Sequence, residues 1–201
     1  MIVFDCEIEN AILMRGEIEI EGIKYCGGWR DFKGMGLSVI GVYDYKRDQS
    51  RVFCRDNFAE FQDLVCETDA VVGFNNIAFD NQLCAAHGIK VPDEKSYDVL
   101  VEIWKAAGLG PKFAPKTHGG YGLDAVCKAN FNINKTGHGA MAPVDWQRGR
   151  IGKVIDYCLM DTMLCRMLYD FIKNNGEIIN PKNPTEKLEF DIPWGCRSGQ
   201  V

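Results

Sequence analysis

The chain has no apolar run approaching the ~18 residues that a membrane-spanning helix needs. It has no basic excess either. The net charge is −5 over 201 residues, so no global field draws it to a polyanion. A nucleic-acid partner would need a local basic patch or bound cations to offset its phosphates. C-x-x-C pairs are missing although there are nine cysteines, and H-E-x-x-H is missing too. The cysteines are odd in number and have apolar neighbours, as in Val65-Cys66, Leu83-Cys84 and Tyr157-Cys158. They read as free buried thiols in a reducing cytoplasm. No basic stretch precedes the first strand, so no signal peptide is expected. Internal repeats and low-complexity segments are absent.

What is present is an ordinary globular composition, 46% hydrophobic and 25% charged, at the length of one domain. Residues 2–9 (IVFDCEIE) form the opening strand. Residues 10–36 read as an insertion, an irregular hairpin followed by a Gly-rich loop. Residues 37–45 and 50–54 are β-branched and aromatic, and form a hairpin. Asn57 can cap a helix to about residue 67, and residues 69–74 form a short buried strand. Asn75 and Asn76 are placed to cap a helix running to about His87, stopped by Gly88. A strand running into a helix is expected over 96–107, and helix from 123 to 129. Residues 130–142 read as a polar loop, with Pro143 in the first turn of a short helix. The longest helical pattern covers 150–174. The expected domain is 1–176, and the proline-containing segment 177–201 is expected as an extended C-terminal tail. Three early strands followed by alternating elements imply an α/β fold with a mixed sheet and helices on both faces.

Four carboxylates break this pattern. On the first strand, Ile2, Phe4, Cys6 and Ile8 share one face, while Val3, Asp5 and Glu7 share the other. Asp5 and Glu7 therefore point the same way, about 7 Å apart. On the long helix, Val154, Tyr157, Asp161, Leu164, Leu168 and Phe171 recur at three- and four-residue steps. Asp161 interrupts that stripe, with Tyr157 one turn before it. Asp80 shares a face with Ile77, Leu83, Cys84 and His87, near a helix start that favours an anion. An uncompensated buried charge costs several kcal/mol. Oxygen-only ligand sets suit Mg²⁺ or Mn²⁺, and two such ions can hold the attacking and leaving oxygens of a phosphoryl displacement.

The residues resemble the DEDD superfamily of 3′-5′ exonucleases, in its tyrosine (DEDDy) subclass. The family's D-x-E on the first strand is matched by Asp5-Cys6-Glu7. Its N-x-x-F-D or N-x-x-x-F-D is matched by Asn76-Ile77-Ala78-Phe79-Asp80, or from Asn75. Its Y-x-x-x-D is matched by Tyr157-Cys158-Leu159-Met160-Asp161, and Asp156 stands where the histidine subclass needs His. Each motif alone is weak; their order over residues 5–161 carries the resemblance. Residues 121–170 also look like ribonuclease H-like exonucleases of phages and bacterial genomes.

The resemblance implies a ribonuclease H-like mixed five-stranded sheet, with three antiparallel strands and then parallel ones. It implies two divalent cations, Mg²⁺ or Mn²⁺, on Asp5, Glu7, Asp80 and Asp161, with Tyr157 orienting the attacking water. It implies hydrolysis of single strands or frayed 3′ ends to nucleoside 5′-monophosphates, with DNA favoured over RNA. A replication or repair protein acting in trans is an expected partner, in a bacterial cell or a phage-infected host. Asn76, Phe79, Lys135 and His138 are the candidate substrate-binding residues. Phe79 would wedge against a base, and Lys135 and His138 would meet phosphate from their loop. The competing readings are a structure-selective or RNA-directed nuclease, a non-catalytic nucleic-acid binding module, and a structural protein with internally paired carboxylates.

Overall fold

A computed structural model describes residues 1–133 and 139–191. The chain opens with β1 (Ile2–Ile8), β2 (Ala11–Ile12), β3 (Tyr25–Cys26) and the one-turn helix α1 (Phe32–Met35). Next come β4 (Leu37–Asp44), β5 (Gln49–Phe53), α2 (Phe58–Glu67), β6 (Val71–Gly73) and α3 (Asp80–Ala86). Then follow β7 (Ser96–Asp98), α4 (Val99–Ala106), α5 (Pro115–His118) and α6 (Leu123–Phe131). Beyond residue 138 lie α7 (Ala142–Gln147), α8 (Ile151–Asn175), β8 (Glu177–Asn180) and β9 (Asn183–Glu189).

Five strands make one mixed sheet in the order β5-β4-β1-β6-β7. β4 runs antiparallel to both β1 and β5, whereas β6 pairs parallel with β1 and β7 parallel with β6. This is the α/β, ribonuclease H-like arrangement expected. β1 is central, so both of its faces are covered. Ile2, Phe4, Cys6 and Ile8 pack with Phe61, Leu64 and Val65 of α2 and Leu83 and Cys84 of α3. Val3, on the other face, belongs to a core with Ile103 of α4, Val126 of α6 and Leu168 of α8. The two-residue period of the strand thus sorts one sequence run into two layers. α8 ends at Gly176, whose φ of 72° is the left-handed cap that glycine adopts without penalty.

Three expectations are corrected. β2 and β3 pair in parallel, Ala11 with Tyr25 and Ile12 with Cys26, so residues 10–25 are no hairpin. Gln147 of α7 bridges the two segments: its amide donates to Glu9 O at 2.9 Å and Lys24 O at 3.0 Å and accepts from Lys24 N. α3 begins only at Asp80, because Asn75 takes a left-handed φ of 65° instead of capping. Residues 177–189, expected as part of an extended tail, form the β8–β9 hairpin. Ile178 and Leu188 are buried in the α4/α6/α8 core, and Asn130 of α6 exchanges hydrogen bonds with the Ile179 backbone. Pro184 is tolerated because it lies in a strand of an isolated hairpin, away from the main sheet.

Among the described residues no helix is long and apolar enough to cross a membrane. The eight described cysteines are free thiols, and Cys196 lies outside the described residues. Ile178→Ala is expected to lower the unfolding free energy by about 2–5 kcal/mol, as a buried core truncation does. Urea denaturation checks this; a tail residue would leave the midpoint unchanged.

Candidate active site

The site is built where α8 crosses the backbone of β1 and β4. Gly41 of β4 is the Cα partner of Asp5. A Cβ at Gly41 would lie 2.9 Å from Thr162 Oγ1, 3.0 Å from Cys158 Sγ and 3.2 Å from Cys158 O. Only glycine lets α8 come this near. The contact is polar as well as close. Gly41 N donates to Cys158 Sγ at 3.1 Å, the Cys158 thiol donates to Asp5 O at 3.3 Å, and the Thr162 hydroxyl shares its proton between Cys158 O at 2.9 Å and Gly41 O at 3.2 Å. The third motif is thereby pinned against the first.

Ligand atoms of Asp5, Glu7 and Cys158 lie within 4.8 Å of one another. Burial pushes the Cys158 thiol well above its ordinary pKa, and the carboxylates of Asp5 and Glu7 push it further. Without a cation it stays a protonated thiol engaged with the Gly41 and Asp5 backbone, and Asp5 and Glu7 supply the oxygen donors of the cluster. Asp161, on the buried stripe of α8, stands one turn beyond Cys158 and is 6% exposed. Tyr157 is half-buried, and its hydroxyl would be 3.3 Å from a Cβ at Gly139.

Asp80 reaches β1 from the other side. β6 pairs with β1 only at Ile2 and Val3, so the ladder ends there. Beyond that point Asp80 Oδ1 accepts from Cys6 N at 2.9 Å, between Asp5 and Glu7. The turn that delivers Asp80 is clamped by Asp98, a residue not singled out from the sequence. The Asp98 carboxylate accepts from Asn75 N at 2.9 Å and Ile77 N at 3.2 Å, and caps α4 at Leu100 N and Val101 N. An Asp directly before a helix is a readable capping signal; its second pair of donors is not. Burial raises the Asp80 pKa to about 7 against the pull of the Cys6 amide, and Asp98 adds to the rise.

The expected substrate-binding residues fare differently. Phe79 is half-buried and packs edge-on against Trp29 and Phe32. Asn76, expected to touch substrate, is fully buried, and its backbone oxygen holds Asn81 N at 2.8 Å. Lys135 and His138 lie outside the described residues.

Gly41→Ala is expected to cost about 1–3 kcal/mol of stability, from overpacking against α8, read by chemical denaturation. A second expectation concerns pH. An unfolded Asp ionises near pH 3.9, and folded Asp80 near 7. Between those values the folded chain keeps a proton that the unfolded chain has released. Wild type in EDTA should therefore lose stability relative to Asp80→Asn as pH rises from about 4 to about 7, by up to ~1.4 kcal/mol per pH unit. Urea denaturation of both proteins at stepped pH measures the difference, and a constant difference would refute the assignment.

No family model matches the chain, and no curated protein sequence does. Solved structures do match in fold. One is the family B DNA polymerase from the hyperthermophilic archaeon Pyrobaculum calidifontis, at a TM-score of 0.54 and 18% identity. The match covers 85% of this chain and 24% of the polymerase, so the chain spans about a quarter of that protein's length. At this identity the likeness establishes the fold.

Proposed function

We propose that the chain is a metal-dependent 3′-5′ exonuclease. In this reading it hydrolyses phosphodiester bonds of single-stranded DNA or frayed 3′ ends to nucleoside 5′-monophosphates by a two-metal-ion mechanism. The observation that carries the reading is the convergence of Asp5 and Glu7 on α8, the helix that bears Tyr157 and Asp161. The likeness in fold to a DNA polymerase favours DNA as the partner.

Carboxylate oxygens are hard donors, and the Cys158 sulfur is engaged by Gly41 N and Asp5 O, so the carboxylate set fits Mg²⁺ or Mn²⁺. Asp5, Glu7, Asp80 and Asp161 would hold two such ions, which when bound supply charge at the attacking and leaving oxygens and make water acidic near neutral pH. Asp80 gives up its proton near pH 7, so it can ionise when a cation arrives. Tyr157 positions the attacking water through its hydroxyl. Phe79 borders the site and meets the terminal nucleotide. The Cys158 and Thr162 contacts with Gly41 hold Asp161 in place relative to Asp5.

Labelled oligonucleotides should release mononucleotides from the 3′ end in Mg²⁺ and none in EDTA. Asp5→Ala and Asp161→Ala should each lower the rate by about a thousand-fold or more, as the loss of several kcal/mol of charge stabilisation requires. Full activity in both variants would sink the proposal. Mn²⁺ should also raise the Tm of wild type and do so less for Asp5→Ala, because binding to the native state alone stabilises it.

A further inference from the structure

The insertion at residues 10–36 does not lie apart from the carboxylates. A cleft of about 190 Å³ opens beside Glu7, walled by Ile12, Met14 and Trp29 of the insertion, by Phe79, and by Gly139. Glu7, a candidate metal ligand, lines the cleft, and the Tyr157 hydroxyl would lie 3.3 Å from a Cβ at Gly139, which is on its wall. Trp29 is 59% exposed and Met14 44%. The indole meets the Phe79 ring edge-on at 6.3 Å, and Phe79 meets Phe32 at 5.9 Å. The backbone around Trp29 is fixed. Asp31 N donates to Gly28 O at 3.0 Å, and the Asp31 carboxylate accepts from Gly27 N at 2.7 Å and Gly34 N at 2.9 Å. Asn10 ties the same segment to the end of β1 through Gly34 O at 2.7 Å.

We propose that this cleft is a stacking site for the base of a single strand's terminal nucleotide, with Trp29 as its platform. The proposal rests on the nuclease reading and adds a substrate feature to it. A cleft lined by Glu7 adjoins the place that the nuclease reading gives to the reacting phosphate, and the part of a strand next to that phosphate is a sugar and its base. The volume is below the ~300–1,000 Å³ of sites that enclose a drug-sized ligand, so it holds one ring system. Among the described residues the walls are aromatic and aliphatic apart from Cys6 and the Glu7 carboxylate, and they carry no basic group, which suits a π face and not a phosphate. Stacking of this kind tolerates any base. A terminal base still paired in a duplex has its pairing edge and inner face engaged, so it must unpair to enter the cleft.

Binding of a 5′-labelled single strand, read by anisotropy with Ca²⁺ in place of Mg²⁺, separates affinity from turnover. Trp29→Ala should weaken binding by about 5- to 150-fold, the range for a base that loses its aromatic partner, and Trp29→Phe should recover most of it. Removing the base from the terminal nucleotide should weaken wild-type binding comparably. The two losses should not add, as for groups in direct contact. Unimpaired binding by Trp29→Ala, or losses that add, overturns the stacking site. Mononucleotide release by wild type in Mg²⁺ tests the nuclease reading separately. Turnover with Trp29-independent binding sinks only the stacking site. Trp29-dependent binding without turnover keeps it and sinks the catalysis.

Discussion

The approach of α8 to the bare backbone at Gly41 is the contact on which the rest of the site depends. A helix normally stands off a sheet by the thickness of two side chains. Here one partner has none, and Cys158 and Thr162 bond directly to the strand. That shift brings a polar helix face over β1 at the position of Asp5. The Cys158 thiol suits the place because burial keeps it neutral, so it joins two strands to a helix without adding a charge beside carboxylates.

The buried carboxylates divide by their partners. Asp98 receives four backbone N–H groups, and its task is to hold a turn and start a helix. Asp80 takes its long-range hydrogen bond from Cys6 N, and burial lifts its pKa to about 7. Burial raises the pKa of both acids, of Asp98 against four backbone N–H groups and of Asp80 against the Cys6 amide. The two are coupled, because Asp98 shapes the turn that ends in Asp80 and its charge also raises the Asp80 pKa.

Two peripheral segments flank the five-stranded sheet in different ways. The β8–β9 hairpin buries Ile178 and Leu188 in the layer that already contains Leu168 and Val126, so it belongs to the hydrophobic core. The 10–36 insertion buries Met35 in the opposite layer and leaves Trp29 and Ile18 exposed. A segment that is fixed by backbone hydrogen bonds yet exposes an indole beside acidic residues is suited to meeting a ligand.

The strand and helix periods by themselves place Asp5, Glu7 and Asp161 on inward faces, because side-chain direction within one element is a local property. The extent of β1, β4 and α8 was legible for the same reason, and the strand-then-alternation order of the elements pointed to the mixed sheet. The close approach at Gly41, the parallel pairing of β2 with β3 and the docking of residues 177–189 were not legible. Each depends on a partner distant in sequence: Cys158 and Thr162 for Gly41, Gln147 for Lys24, Asn130 for Ile179. Asn75 shows the same limit, since the capping preference of its side chain lost to a left-handed turn that Asp98 holds. Which side chains the site contains follows from spacing along the chain. That they meet follows from packing, where one missing Cβ and a few long-range hydrogen bonds fix the separations.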